Sequence, residues 1–295
     1  MQLLDWINYS KINWSYLCEN PNAVSLLENN IDRIDWYYLS SNPNAISLLK
    51  NNQNEIDWFK LSANPNAISI LEANVEKINW SSLSINPNAI PLLKKYPDNI
   101  NWYHLSKNNS PGAIELLEQN PYNINWSMLS LNPSAIPLLK SNPEMIDWTL
   151  LSRNENAIDL LKENPTKINW CMLSLNKNAI ALLEANFDKI HWYELSTNPN
   201  AISLLEANPY KINWSALCKN PNAISLLKAN QDKIDWNVIV SKNPSIFGYN
   251  YEMMRKTKAD LNEEAIAKAL HPKRIFRLIE EIGEDEVYNI YFDEY

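Results

Sequence analysis

Apolar residues recur along this chain in one phrase, typified by "INWSSLSINPNAIPLLKKYPDN" at residues 78 to 99. Trp14, Trp36, Trp58, Trp80 and Trp102 stand 22 residues apart, and after one step of 24 the series Trp126, Trp148, Trp170, Trp192, Trp214 and Trp236 resumes the spacing of 22. A fixed period of this length is the signature of a solenoid of stacked supersecondary units.

Within each unit the pattern predicts two short helices. Asn or Asp precedes every repeat tryptophan except Trp192, which follows His191. An Asn or Asp there can accept from the free amides of a first turn. A short helix A of the form W-x-x-L-S follows, with Trp and Leu three apart and therefore on one face. Asn-Pro comes next, as in Asn20-Pro21, Asn64-Pro65 and Asn198-Pro199. Asparagine suits a cap and proline suits the first helical position. Helix B then reads "PNAISLLEAN", its Ala, Ile and two Leu within one arc and its other side polar. A closing asparagine (Asn30, Asn120, Asn208) suggests a left-handed helix end. Pro97, Pro121, Pro143, Pro165 and Pro209 prevent continuation. An isoleucine two residues before each tryptophan is expected to pin the linker to the core.

Neither helix can bury its apolar face alone, so stability must come from stacking. The expectation is an all-α protein, an α-solenoid of about ten 22-residue two-helix repeats with N- and C-terminal helical caps. Residues 1–13 form an N-terminal cap resembling the second half of a unit, with Leu3, Leu4 and Ile12 as core candidates. Residues 14–235 carry ten tandem repeats. Residues 236–295 hold a degenerate last repeat and a C-terminal helical cap that covers it. One helix of that cap starts with the capping-box pair Asp260 and Glu263, and another runs from Pro272 to Gly283. At about 8–10 Å per unit the array would be a rod or arc roughly 80–100 Å long.

The step of 24 falls in "YHLSKNNSPGAIELL", residues 103 to 117. Pairing Ser110, Pro111 and Ala113 with the usual Asn, Pro and Ala, and Gly112 with the second Asn, puts the two extra residues at Asn108–Asn109. That reading predicts an enlarged loop at one edge of the solenoid, which is thermodynamically cheap.

The phrase W-x-x-L-S-x-N-P-N-A-I-x-L-L-E resembles the tandem repeats of proteins from giant nucleo-cytoplasmic DNA viruses of protists, and "EEAIAKALHPKRIFRLIEEIG" is similar to the way such proteins end. The resemblance covers nearly the whole chain. It implies a viral origin and interaction work and carries no catalytic residues. It also places the chain in the host cytoplasm or the virus particle.

Composition narrows the classes. Asp and Glu number 34 against 26 Lys and Arg, which speaks against a phosphate-tracking nucleic-acid binder. With 3 glycines, a turn-rich β protein is excluded. No apolar run approaches a membrane span, and the start lacks the features of a signal peptide, so an intracellular, unsecreted chain is expected. The Asn-x-Ser sequons at Asn13, Asn79, Asn125 and Asn213 coincide with the predicted caps.

Three cysteines do not make a disulfide framework. Cys18 and Cys218 stand where other units have serine, and Cys171 stands beside Trp170 in a variable slot. Nothing has metal-ligand spacing, and His104, His191 and His271 fall at different repeat offsets that would not converge. Ser25-x-x-Glu28 and Ser203-x-x-Glu206 match a capping box but lie inside helix B. A tryptophan sugar stripe is disfavoured because the tryptophans share one core slot. Lys273, Arg274 and Arg277 form only a short basic helical face. No phosphate loop, nucleophile elbow or paired acid motif occurs, so neither an enzyme, a cofactor, a metal nor a small-molecule substrate is expected.

Function in a solenoid resides in the slots that vary. The second residue after each tryptophan points nearly opposite the Trp–Leu face at 100° per residue. Repeats 6 to 8 place Met128, Leu150 and Met172 there, and the slot after the helix A serine adds Leu131 and Leu175. A second, less continuous cluster comprises Tyr37, Tyr38, Phe59, Tyr103, His104 and Tyr193. These residues either form an exposed stripe for a protein partner, viral or host, or are ordinary core of a helix flanked on both sides. Lys60, Ser82 and Glu194 in the same slot of neighbouring units favour the stripe. The alternative function is a structural component that self-assembles within a virus particle.

Overall fold

The computed structural model describes residues 2–7, 9–236, 238, 243–248, 275–277 and 279. It is an all-α repeat protein in which each unit comprises helix A, helix B and a 3-10 turn, as in Trp58–Ser62, Ile68–Glu72 and Val75–Lys77. Gln2–Phe247 forms one compact unit, while Met1 and Gly248–Tyr295 belong to a second. In the second, residues 275–277 and 279 are helical, and the helix expected from Asp260, with the bounds of the one at Pro272–Gly283, lies outside the described residues.

Helix A begins where the sequence predicts, because the residue before tryptophan is extended and, except at Asp35 and His191, its side chain takes up a first-turn amide. Asp57 accepts from the Lys60 N–H at 2.8 Å, and the sequon asparagines Asn13, Asn79, Asn125 and Asn213 all cap in the same way. In the ten units at 14–235 the helix A leucine is fully buried, as are the Ala and second Leu of the B segment. Burying one such leucine stabilises by about 1.5–3 kcal/mol. Each tryptophan packs against the core with a partly open face. Several of those faces are covered by a cation from their own unit, such as Lys167 over Trp148 at 4.4 Å and Lys233 over Trp214 at 4.5 Å.

Two local expectations are corrected. The asparagine closing helix B is not left-handed; Asn120 has φ −132° and ψ 59°. Its amide instead donates to the carbonyl four residues back, Leu116, at 2.8 Å, capping the helix end through the side chain. The asparagine before proline does more than cap. Its Oδ1 accepts from the amide two residues on, as with Asn64 and Asn66 at 3.0 Å. Its Nδ2 reaches into the preceding unit, where Asn64 donates to the carbonyls of Ser40 at 3.1 Å and Asn42 at 2.9 Å.

This buried asparagine recurs in every unit, so the bonds form a continuous ladder from Asn42 to Asn243. The ladder then closes on itself. Asn20 of the first unit donates to the carbonyl of Asn243 at 3.3 Å, and Asn22 to that of Pro244 at 3.0 Å. These repeat the contacts that join internal neighbours, such as Asn44 with Pro21 at 2.8 Å. The rod or arc expected from the sequence is therefore a closed ring.

The closing eleventh unit is built from both ends of Gln2–Phe247. Trp236, Asn243, Pro244 and Ile246 supply its first half; Asn243 lies 243 − 236 = 7 residues after its tryptophan, against 20 − 14 = 6 in the first unit. Leu4, Trp6, Ile7, the 3-10 turn Tyr9–Lys11 and Ile12 supply its second half. The Leu4 amide donates to the Ile246 carbonyl at 2.9 Å, and the Trp6 and Trp236 rings lie 6.4 Å apart. Gln2–Leu3 and Phe247–Gly248 are the strands of a two-stranded sheet at this seam. Ile246, fully buried, takes the slot that alanine fills elsewhere.

The long repeat is also reinterpreted. Asn108 keeps its place in the ladder, and the Ser110 amide donates to Asn108 Oδ1 at 3.0 Å as the second asparagine does elsewhere. Ser134 Oγ bonds the Asn109 carbonyl at 2.7 Å, which preserves the neighbouring contact. The extra residues are thus Pro111 and Gly112, not Asn108–Asn109. They add a turn to helix B, which runs Pro111–Gln119, rather than enlarging a loop. Gly112 is required by closeness, because a Cβ there would lie 2.9 Å from Ile90 Cγ2.

Candidate partner-binding surface

Most successive A helices pack directly on one another, as Trp80–Ile85 does on Trp102–Lys107, whereas successive B helices stand further apart. In a closed ring the closer elements lie nearer the axis, so the A helices form the inner wall. A bond spanning two units agrees: Lys60 crosses the second unit to reach Glu19 of the first at 3.2 Å. Eleven units whose inner edges stand about 8–10 Å apart describe a circle on the order of 30 Å across. Subtracting about half a helix diameter on each side leaves a bore of roughly 20 Å.

The slot two residues after tryptophan differs from unit to unit: Tyr38 and Val238 pack against the core, Ser82 and Ala216 are buried, and Lys60 and Glu194 are half-buried. Met128, Leu150 and Met172 are half-buried there, each outside the hydrophobic core cluster, and so are Leu131 and Leu175. Neighbouring units shade them, yet they are not a second core layer. Leu131 also borders a shallow pocket with Lys107, Pro133, Arg153 and Glu155. The stripe therefore has a charged margin.

The aromatic cluster divides in two. Tyr37, Phe59, Tyr103 and Tyr193, one residue after tryptophan, are 45%, 55%, 49% and 45% exposed. Tyr38 and His104 are half-buried. Tyr38 meets Tyr16 with ring centroids 5.4 Å apart and Tyr37 at 5.1 Å, and Lys60 lies 4.8 Å over Tyr37. The Tyr103 ring meets His104 at 5.2 Å. His104 Nδ1 lies 2.9 Å from Ser81 Oγ, and burial followed by the charge of Lys107 lowers the His104 pKa.

The thiols differ in setting. Cys18 and Cys218 are fully buried and fill the place of the helix A serine. Serine there donates to its tryptophan carbonyl and accepts from the next cap amide; Cys18 does the same at 3.2 and 3.4 Å. Burial pushes the Cys18 thiol up to about 11 and raises that of Cys218. Both are inert packing groups. Cys171 is half-buried and lies with His191 and Glu194 so that one ligand atom from each falls within 4.8 Å of the others. The sequence reading missed this group because its members occupy different offsets in adjacent units. His271, Lys273 and Arg274 lie outside the described residues.

Among the described residues no helix is long and apolar enough to cross a membrane. A scan of protein-family models finds no match, and no curated protein and no solved structure matches the chain.

Proposed function

We propose that this chain is a non-enzymatic ring scaffold that binds a protein partner, viral or host, through the inner wall formed by its A helices. The observation that carries this reading is the division of labour within each unit. Leucine, alanine and the ladder asparagine are spent on core and closure, while the slots after tryptophan vary and face the bore. In repeats 6 to 8 those slots hold Met128, Leu150 and Met172 outside the core, flanked by Leu131 and Leu175. Adaptable methionines beside leucines on an accessible concave wall suit an apolar segment of a partner. A bore of roughly 20 Å admits one α-helix, about 10–12 Å wide with its side chains.

The resemblance to giant-virus repeat proteins supports a location in the host cytoplasm or the virus particle. Self-assembly within a particle is the alternative reading. Ring closure removes the open ends through which solenoid units stack, so assembly would have to proceed through the faces or outer rim. Affinity capture from the native cell with Met128→Glu, Leu150→Glu and Met172→Glu combined tests the proposal. The expected result is loss of a specific partner with an unchanged melting curve; undiminished capture rules the inner stripe out.

A further inference from the structure

Cys171, His191 and Glu194 adjoin one end of the apolar stripe, beside Met172, but carry different chemistry. We propose that they form a divalent metal site, with zinc as the best-fitting ion. All three ligand atoms lie within 4.8 Å of one another. Tetrahedral zinc, with Zn–S near 2.3 Å and Zn–N and Zn–O near 2.0–2.2 Å, requires ligand atoms about 3.3–3.7 Å apart. Of the three side chains, exposed His191 and half-buried Glu194 have the most room to close the remaining gap of about 1 Å. The scaffold beneath is rigid, since Cys171 sits on helix Trp170–Ser174 and Glu194 on Trp192–Thr197, and these helices pack on each other.

The repeat supplies internal controls. At the position of His191 the other ten copies have Asn or Asp. Cys171 is the one thiol among residues directly after a repeat tryptophan, and Glu194 the one acid two places after. Three singular departures therefore converge on one point. The histidine also forgoes a structural bond, for its side chain makes no cap to helix Trp192–Thr197. Among the described residues no lysine or arginine pairs with Glu194, and nearby Lys189 lies over Trp170 at 4.6 Å.

Donor chemistry selects the ion. Thiolate, imidazole and carboxylate together suit a borderline-soft cation, and the two negative charges balance a divalent one. Magnesium and calcium, which demand oxygen, are excluded by the sulfur and nitrogen. Three protein ligands leave a fourth position for water or for a donor from a bound partner. Binding expels the thiol proton, so affinity rises with pH.

The test titrates the chelator-treated full chain with zinc by calorimetry and with cobalt by absorption spectroscopy. One zinc per chain is expected, with a thiolate-to-cobalt charge-transfer band and the visible bands of tetrahedral cobalt. Cys171→Ser, His191→Asn and Glu194→Ala each install a residue that another unit already carries at that slot. The metal-free C171S and E194A variants should therefore melt as the parent does, and H191N, which regains the cap seen at Asn169 and Asn213, no lower. Loss of even an outer-shell partner lowers metal affinity about 10–100-fold, so each ligand variant should weaken zinc by at least about tenfold. C171S should also abolish the charge-transfer band. Zinc affinity unchanged in the three variants, no charge-transfer band in the parent, or one zinc shared by two chains would each overturn the site.

Discussion

Replacing Asn154 by alanine should be among the most damaging single changes in the ring. Asn154 is buried and makes three hydrogen bonds through one side chain. Its Nδ2 donates to the carbonyls of Ser130 at 3.0 Å and Asn132 at 2.8 Å, and its Oδ1 accepts from the Asn156 amide at 3.0 Å. Each bond contributes about 1 kcal/mol net, and a buried partner left unpaired costs about 1–3 kcal/mol. Alanine cannot reach any of the three groups, so the expected loss is about 3–5 kcal/mol. Such a loss is a large share of the 5–15 kcal/mol typical of a folded domain.

Denaturant unfolding followed by tryptophan fluorescence measures the loss, because tryptophan recurs in every unit. Asn20→Ala provides the contrast. At the seam its Nδ2 makes one longer bond, 3.3 Å to Asn243. Its loss should cost less stability than N154A and, combined with Asn22→Ala, should open the ring. Opening appears in solution scattering as a larger radius of gyration with helicity retained. A stability loss below about 1 kcal/mol for N154A would refute the ladder as a main source of cohesion, given the usual size of a single bond.

Two further outcomes follow from the titrating groups. In the native protein, Cys18 and Cys218 should resist a thiol reagent while Cys171 reacts slowly, and E194A should speed Cys171 by removing a negative neighbour; mass mapping after timed alkylation checks this. The His104 pKa is lowered on folding, so the unfolded chain binds more protons in acid. Stability tied to His104 is present above its unfolded pKa of about 6.5 and lost as pH falls through the lower folded value. Melting curves across that window should fall less steeply for His104→Met, which installs the residue of another unit at that slot.

Periodicity reached far into this fold. Trp14 to Trp236 reported the unit length, and the residue before each tryptophan reported the cap, because both depend on contacts within a few residues. Closure was not legible in the same way. It depends on the angle between units, which accumulates from side-chain volumes such as those at Ala67 or Ile90 and has no single-residue signature. The ladder asparagine was read only as a cap, since its Oδ1 acts locally while its Nδ2 acts 22 and 24 residues away. The long repeat misled for a related reason. Ser-Pro at 110 and 111 imitates the Asn-Pro phrase, and only the bonds of Asn108 and Ser134 fix the register. Cys171, His191 and Glu194 had a usable signal, namely that each is exceptional at its own slot, but their convergence required the unit-to-unit stacking.

Closure changes how the energetics of the array should be reckoned. An open solenoid is stabilised by nearest-neighbour interfaces, with one interface fewer than units, and its terminal units must be capped against water. In the ring every unit has two neighbours, and the first and last cores cover each other through Leu4, Ile7, Ile246 and Phe247. The ends of Gln2–Phe247 therefore share one unit rather than carrying separate caps, and neither half can fold its apolar residues alone. Fraying from an end, the usual route of local opening in repeat arrays, must first break the Asn20–Asn243 and Leu4–Ile246 bonds together. The seam is thus where the ring opens first, whereas the inner wall of repeats 6 to 8 lies away from it, joined to its neighbours by the two-bond ladder of Asn132, Asn154, Asn176 and Asn198.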